Sequence, residues 1–203
     1  MDGFRKRLSR QLSSPSGRGG RVVAAAMNRG NRQMTEHAIE LLGASAGDHV
    51  VDIGFGGGRA VDLLLESGMR VTGVDPAEDM VAALAARYDG DPAADRLTVR
   101  EGGVEALPLG DEAADAALTV NTVYFWSGLL GPLAEIHRVL SPGGTLAIAI
   151  RDGAVMRNVD RDIFTIRSPE TIAAAAESTG FDARVESPAN GKLHFIVATK
   201  PTS

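Results

Sequence analysis

The sequence predicts an α/β protein, a doubly wound and mostly parallel sheet of seven strands whose last pair forms an antiparallel C-terminal hairpin. Three observations lead there. From residue 49 onward short β-branched runs alternate with helix-period stretches; a glycine cluster sits between the first strand and its helix, with an acid ending the second strand; and two strand-like runs close the chain across a turn.

The first strand is His49-Val50-Val51-Asp52-Ile53, followed by the glycine loop and a helix over 59–67 that Gly68 closes. Strand two is 70–74, and 77–88 is a helix with Met80, Val81 and Leu84 at helical spacing. Strand three spans 97–100 and strand four 116–121. A helix over 129–140 ends at Ser141-Pro142-Gly143-Gly144, and strand five begins at Thr145 and runs to Ile150. Ser168-Pro169 reads as an N-cap followed by proline at the first helical position, opening a helix that runs to Gly180. Runs 183–186 and 192–199, separated by Ser187-Pro188-Ala189-Asn190-Gly191, are two strands joined by a tight turn. Ahead of the first strand, 21–43 reads as one or two helices broken near Gly30.

A chain of 203 residues fits one domain with a sizeable core. The division expected is a basic leader over 1–20 and a domain over 21–203, whose residues 21–46 form a helical cap. No cysteine is present, which excludes disulfides, cysteine-ligated zinc, iron–sulfur clusters and thiol nucleophiles. No apolar run approaches the roughly 20 residues of a membrane span. Basic residues at the N-terminus have no apolar segment behind them, so neither a signal peptide nor an anchor is predicted and a cytoplasmic location is expected. Residues 1–32 hold eight Lys or Arg against Asp2 alone, which leaves thirteen basic against twenty-five acidic residues in the body. Arg5, Lys6, Arg7, Arg10, Arg18 and Arg21 read either as a contact arm for an anionic partner or as a solvated leader; Phe4 is the sole aromatic among them, a poor stacking platform for nucleic acid.

The chemistry is concentrated in Asp52-Ile53-Gly54-Phe55-Gly56-Gly57-Gly58, with Asp75 placed 21 residues after Gly54. Glycines let the chain turn sharply and bring backbone amides to a ligand, and a carboxylate at the tip of strand two can accept from both hydroxyls of an adenosyl ribose. A dinucleotide fingerprint would need glycine at position 59, where Arg59 stands. The Asp52 carboxylate is a poor neighbour for a pyrophosphate and a good one for an ammonium and a sulfonium.

On these residues, and on Gly73-Val74-Asp75-Pro76 with Met80, Gly103-Val104-Glu105-Ala106-Leu107-Pro108-Leu109 and Glu135-Ile136-His137-Arg138-Val139-Leu140-Ser141-Pro142-Gly143-Gly144, the chain resembles the class I S-adenosylmethionine-dependent methyltransferases, small-molecule type, near the ubiquinone and menaquinone group. The resemblance covers about residues 20–200 and implies a Rossmann-like methyltransferase fold whose seventh strand is antiparallel. It implies S-adenosylmethionine as cofactor, S-adenosylhomocysteine as its product and no metal requirement. It also implies that Asp52, Gly54, Phe55 and Gly56 border the methionine part, Asp75 the ribose, Pro76 and Met80 the adenine, and Gly103, Val104 and Glu105 its other edge. The family often carries an acid where this chain has Gly103, so Glu105 or a backbone carbonyl must serve the adenine amino group.

Ligands of open α/β sheets bind beyond the C-terminal strand ends, which selects Asn121 to Trp126, Arg151 and Asp152. Asn121 is expected at the cofactor, and Tyr124, Trp126 and Arg151 at the acceptor; the alternative for the aromatic run, Phe125 above all, is a packing cluster under the next helix. Methyl transfer from a sulfonium rests on alignment and desolvation, so a base is optional, with Asp152, Tyr124 and His37 as candidates in that order. His49 begins strand one at the sheet's far end, while His137 and His194 read as structural or surface residues. Asn31 and Arg32 are expected to close over the cofactor or acceptor. The function expected is methyl transfer to a small-molecule acceptor by in-line displacement, with no nucleic-acid partner. The competing readings are a non-catalytic adenosyl-binding module, favoured if the aromatic run packs inward and no open cavity adjoins the methyl group, an RNA methyltransferase using the basic N-terminus, and last a nicotinamide oxidoreductase.

Overall fold

The computed structural model describes residues 32–156, 162–189 and 191–202. The leader expected over 1–20, the first part of the cap and Asn31 lie outside the described residues. Seven strands form one sheet in the order β3-β2-β1-β4-β5-β7-β6: β1 (His49–Ile53), β2 (Arg70–Asp75), β3 (Leu97–Glu101), β4 (Ala114–Val120), β5 (Leu140–Arg151), β6 (Asp182–Glu186) and β7 (Leu193–Thr199). The first five pair in parallel, and β7 runs antiparallel between β5 and β6.

Successive residues of β1 feed opposite faces, Val50 to one core and Val51 and Ile53 to the other, which is why its valines are adjacent rather than alternating with polar residues. On the first face lie α1 (Arg32–Leu42), α2 (Arg59–Glu66) and α3 (Glu78–Arg87); on the second lie α4 (Leu130–Val139) and α5 (Pro169–Ser178). Met34, Ala38 and Leu42 of α1 recur every four residues and make a single buried stripe against the sheet. Ser168 caps α5 as its sequence predicts, its hydroxyl accepting from Thr171 N at 3.2 Å with Pro169 as the first helical residue. Among the described residues no helix is long and apolar enough to cross a membrane.

Two differences from the sequence reading have local causes. Strand five begins at Leu140, not Thr145, because Ser141-Pro142-Gly143-Gly144 stays in the sheet as an irregular entry. Leu140 already pairs with Ala114, the register shifts between Ala114 and Ala116, and a Cβ on Gly144 would meet Ser141 O at 2.8 Å. Strand four ends at Val120, one residue early, because Asn121 turns into the left-handed region with φ of 60°.

Arg138 of the fourth helix organises the loop after β3. It donates to both Glu135 carboxylate oxygens, to Asp111, and to the carbonyls of Leu107 and Leu109, while Glu135 Oε1 accepts from Leu107 N at 2.8 Å. These bonds hold the Glu135 carboxyl below its ordinary range. They also anchor, at Leu107 and Leu109, the loop that carries Gly103, Val104 and Glu105.

Candidate functional site

Three loops meet at the C-terminal ends of β1, β2 and β3, and Asp75 ties them together. Its Oδ2 accepts from Gly56 N at 2.8 Å, its Oδ1 from Ala77 N at 2.9 Å, and its carbonyl from Gly102 N at 3.1 Å. Asp75 is 6% exposed. Burial pushes its pKa up, partly offset by the N–H groups of Ala77 and Gly56.

The glycine loop follows β1 at close quarters. Gly54 N donates to Val74 O at 2.7 Å, Gly54 has φ of 74°, and a Cβ there would come 2.5 Å from Thr122 Cγ2. Thr122 is itself pinned by a short hydroxyl–hydroxyl bond to Thr119, which donates to Ile53 O. Gly54→Ala therefore combines left-handed strain with a clash, and a loss of about 2–4 kcal/mol is expected. Denaturant unfolding at fixed m-value is the check, and a variant as stable as wild type would remove the steric reason for this glycine.

Two acceptors in this region are buried without a partner: Asp52 Oδ2 and Asn121 Oδ1. Asp52 lies at the end of β1, and burial first, then the nearby Asp75 and Asp62, push its pKa up to about 8. Asn121 donates through its backbone to Ala149 O at 2.9 Å and through Nδ2 to Met34 Sδ at 3.7 Å, which leaves its carbonyl oxygen unused. A buried polar atom left unpaired costs about 1–3 kcal/mol, so both acceptors are suited to a ligand bearing donors or positive charge.

A methyltransferase-domain family model matches residues 51–148, the stretch that carries this loop, Asp75 and the strand order around them. The chain belongs to the class I S-adenosylmethionine-dependent methyltransferases. Binding of that cofactor is typical of the family. Among curated relatives it is 35% identical over 106 residues to the ubiquinone/menaquinone biosynthesis C-methyltransferase UbiE of Rubrivivax gelatinosus, covering 52% of this chain and 40% of that protein. It is 31% identical over 126 residues to the erythromycin 3''-O-methyltransferase of Saccharopolyspora erythraea, covering 61% of this chain and 41% of that protein. The chain spans between 40 and 66% of the length of curated relatives it matches. In fold it resembles a Haloferax volcanii putative methyltransferase solved with the Trm112 methyltransferase activator, with a TM-score of 0.75, 23% identity, and coverage of 89% of this chain and 97% of that one.

The other expected site residues of this methyltransferase-family chain fall into distinct places. Pro76 is exposed beside Asp75, while Met80 and Val104 are buried. Glu105 is exposed, with Ser127 Oγ donating to it at 3.5 Å; a Cβ on Gly103 would lie 3.3 Å from Glu105 Oε2, so the Glu105 carboxylate lies beside the space an acid at 103 would enter. Phe55 turns its ring inward, 3.0 Å from where a Gly73 Cβ would stand, so the loop offers its backbone rather than that ring. Arg32 pairs with Glu36 at 2.8 Å, and Glu36 lies 3.7 Å from Arg59, linking α1 to the helix after the glycine loop.

The aromatic run packs inward, the alternative to a pocket wall. Tyr124 is 2% exposed, its hydroxyl accepting from Arg151 N at 2.6 Å and donating to Arg151 O at 3.3 Å. Burial pushes its pKa up to about 12, which disfavours the ionised phenolate. Trp126 is 4% exposed in the same core, the rings of Phe125 and Phe164 meet at 4.8 Å with a tilt of 59°, and Arg167 spans the carbonyls of Val123 and Trp126. Arg151 is half-buried at the end of β5. Asp152 accepts from Ala154 N at 2.7 Å and bonds His194 Nε2 at 3.2 Å, and these, the backbone bond first, hold its pKa below the usual range. His37 bonds Glu40 at 3.1 Å and sets its ring against Phe195. His49, at the opposite end of β1, is held by Ala113 O and Thr72 Oγ1.

Sequence reasoning missed Met34, whose sulfur meets Asn121, and the Asp62–Arg87–Tyr88 group behind the glycine loop. The only local signal for Arg87 was a basic residue in the last turn of its helix.

Proposed function

We propose that this chain transfers a methyl group from S-adenosylmethionine to a small-molecule acceptor. The observation that supports it most is the buried Asp52 carboxylate with an unpartnered oxygen beside a glycine loop tied to Asp75. Once ionised by a bound cation, such a carboxylate suits a ligand with an ammonium and a sulfonium, and it is a poor neighbour for a pyrophosphate. Asp52, Asn121 and the backbone of Gly54, Phe55 and Gly56 would hold the methionine part. Asp75 would accept from the ribose hydroxyls, Pro76 and Met80 would flank the adenine, and Gly103, Val104 and Glu105 its other edge. The bound cofactor supplies an electrophilic methyl group with a good leaving group.

What the chain's own residues then contribute is alignment and exclusion of water. Of the candidate bases, Tyr124 drops out on its burial and raised pKa, and Asp152 is made a weaker base by the bonds from Ala154 N and His194. Positioning of the nucleophile is therefore the larger share of the chemistry, with Asp152 and His37 as the proton acceptors left if the acceptor is a hydroxyl or an acidic carbon. Helix α1 would serve as a cap over cofactor and acceptor, with Arg32 on its rim. The erythromycin and quinone methyltransferases among the relatives support a small-molecule acceptor.

Calorimetric titration of the full chain tests this reading. S-adenosylmethionine and S-adenosylhomocysteine are expected to bind at micromolar levels and NAD not at all. Binding of NAD without either sulfur compound would make the loop a dinucleotide site and end the proposal. The inward packing of Tyr124 and Trp126 favours a second reading, a non-catalytic module that binds the cofactor. Conversion of S-adenosylmethionine to S-adenosylhomocysteine in the presence of an acceptor panel separates the two.

A further inference from the structure

The glycine loop is gripped from behind by a side chain that the sequence motifs do not include. Arg87, the last residue of α3, donates through Nη1 to Gly57 O at 3.1 Å and through Nη2 to Gly58 O at 3.3 Å. Its guanidinium is itself oriented. Asp62 Oδ1 accepts from Arg87 Nη2 at 2.6 Å and from the Tyr88 hydroxyl at 2.8 Å, and the Tyr88 ring lies 5.4 Å from the Arg87 guanidinium carbon. Gly58 leaves the room for this: a Cβ there would stand 2.5 Å from Arg87 Nη2.

A planar peptide points its C=O and the following N–H to opposite sides. Fixing the carbonyls of Gly57 and Gly58 on the Arg87 side therefore turns the N–H groups of Gly58 and Arg59 the other way, and Gly58 N closes the turn on Phe55 O at 2.8 Å. The Arg87–Asp62 pair is partly exposed, at 42% and 26%, so as an ion pair alone it adds little to stability. Two carbonyls and a carboxylate held by one planar fork define a geometry instead.

We infer that Arg87 is a positioning residue of the cofactor site, holding the 55–58 turn in the shape that receives the methionine part of the ligand, with Asp62 and Tyr88 holding Arg87. This rests on the reading that the glycine loop binds S-adenosylmethionine. Arg96 supplies a matched control, because its Nη1 also donates to two carbonyls, Leu65 O and Met69 O, at 2.9 Å each, at the other end of α2.

The experiment compares Arg87→Met, Arg87→Lys and Arg96→Met in the full chain, by hydrogen exchange of the ligand-free protein and by titration with S-adenosylhomocysteine and with 5′-methylthioadenosine, which lacks the amino-acid arm. In Arg87→Met, exchange at the amides of residues 56–59 is expected to quicken and S-adenosylhomocysteine affinity to fall about tenfold, against less than about threefold for methylthioadenosine. Arg87→Lys falls between, and Arg96→Met leaves both affinities as in wild type. Unchanged loop exchange in Arg87→Met, an equal fall for the two ligands, or the same pattern in Arg96→Met would overturn the assignment. Failure of the wild type to bind either ligand would instead sink the cofactor reading, and the exchange comparison would still show whether Arg87 holds the loop.

Discussion

Asp75→Ala is expected to weaken S-adenosylhomocysteine binding by on the order of 100-fold or more, since each lost hydrogen bond to a charged group is worth about 1.5–3 kcal/mol and two ribose hydroxyls are proposed to share it. The structure adds a reason beyond those direct bonds. The same carboxylate accepts from Gly56 N and Ala77 N, so its removal orphans two amides at the glycine loop and at the start of α3. The loop would relax as the ribose grip disappears. Asp75→Asn keeps one acceptor oxygen and the side-chain volume, and its loss should be smaller. Calorimetry on both variants, with unfolding curves to establish that they are folded, decides the matter. Retention of affinity within about threefold in the alanine variant would remove Asp75 from the binding site.

Much of the architecture was legible because it is written locally. Alternation of β-branched runs with helix-period stretches gave all seven strands, six of them within two residues at each end, and the proline at position 169 behind Ser168 marked the start of α5. Strand five escaped because Pro142, Gly143 and Gly144 carry turn signals, whereas the neighbouring β4 shifts its register to keep the segment paired. The fate of Tyr124 was equally invisible. Its type and position suit a pocket wall, but the backbone of Arg151, 27 residues away in sequence, takes its hydroxyl. Arg87 meets Gly57 across 30 residues and Arg138 meets Asp111 across 27, and no periodicity encodes such long-range side-chain bonds. Asp52, next to last in β1, and Asp75, last in β2, by contrast stand where the alternation of the fold already directs a carboxylate to the proposed ligand edge.

Asp52→Asn is expected to stabilise the ligand-free protein while weakening the cofactor. Burial raises the folded pKa of Asp52 to about 8 from an ordinary value of 3.8. Between those limits the folded chain holds a proton that the unfolded chain has released, so the contribution of this group to stability falls as pH rises through the window and is least favourable above about pH 8. Asparagine carries no such charge. The variant should match wild type below about pH 4, gain progressively, and reach an advantage of about 2–5 kcal/mol above pH 8, one pKa unit being about 1.4 kcal/mol. Binding moves the other way. The ammonium group of the ligand favours the ionised carboxylate, so wild-type affinity for S-adenosylhomocysteine should climb as pH approaches 8, and the variant should bind more weakly with that climb removed. Denaturation midpoints between pH 5 and 9, paired with titrations at the same pH values, test both halves. A stability difference that does not change with pH would mean that Asp52 is already ionised in the folded protein, and with it would go the argument that this carboxylate is held uncharged until a cation arrives.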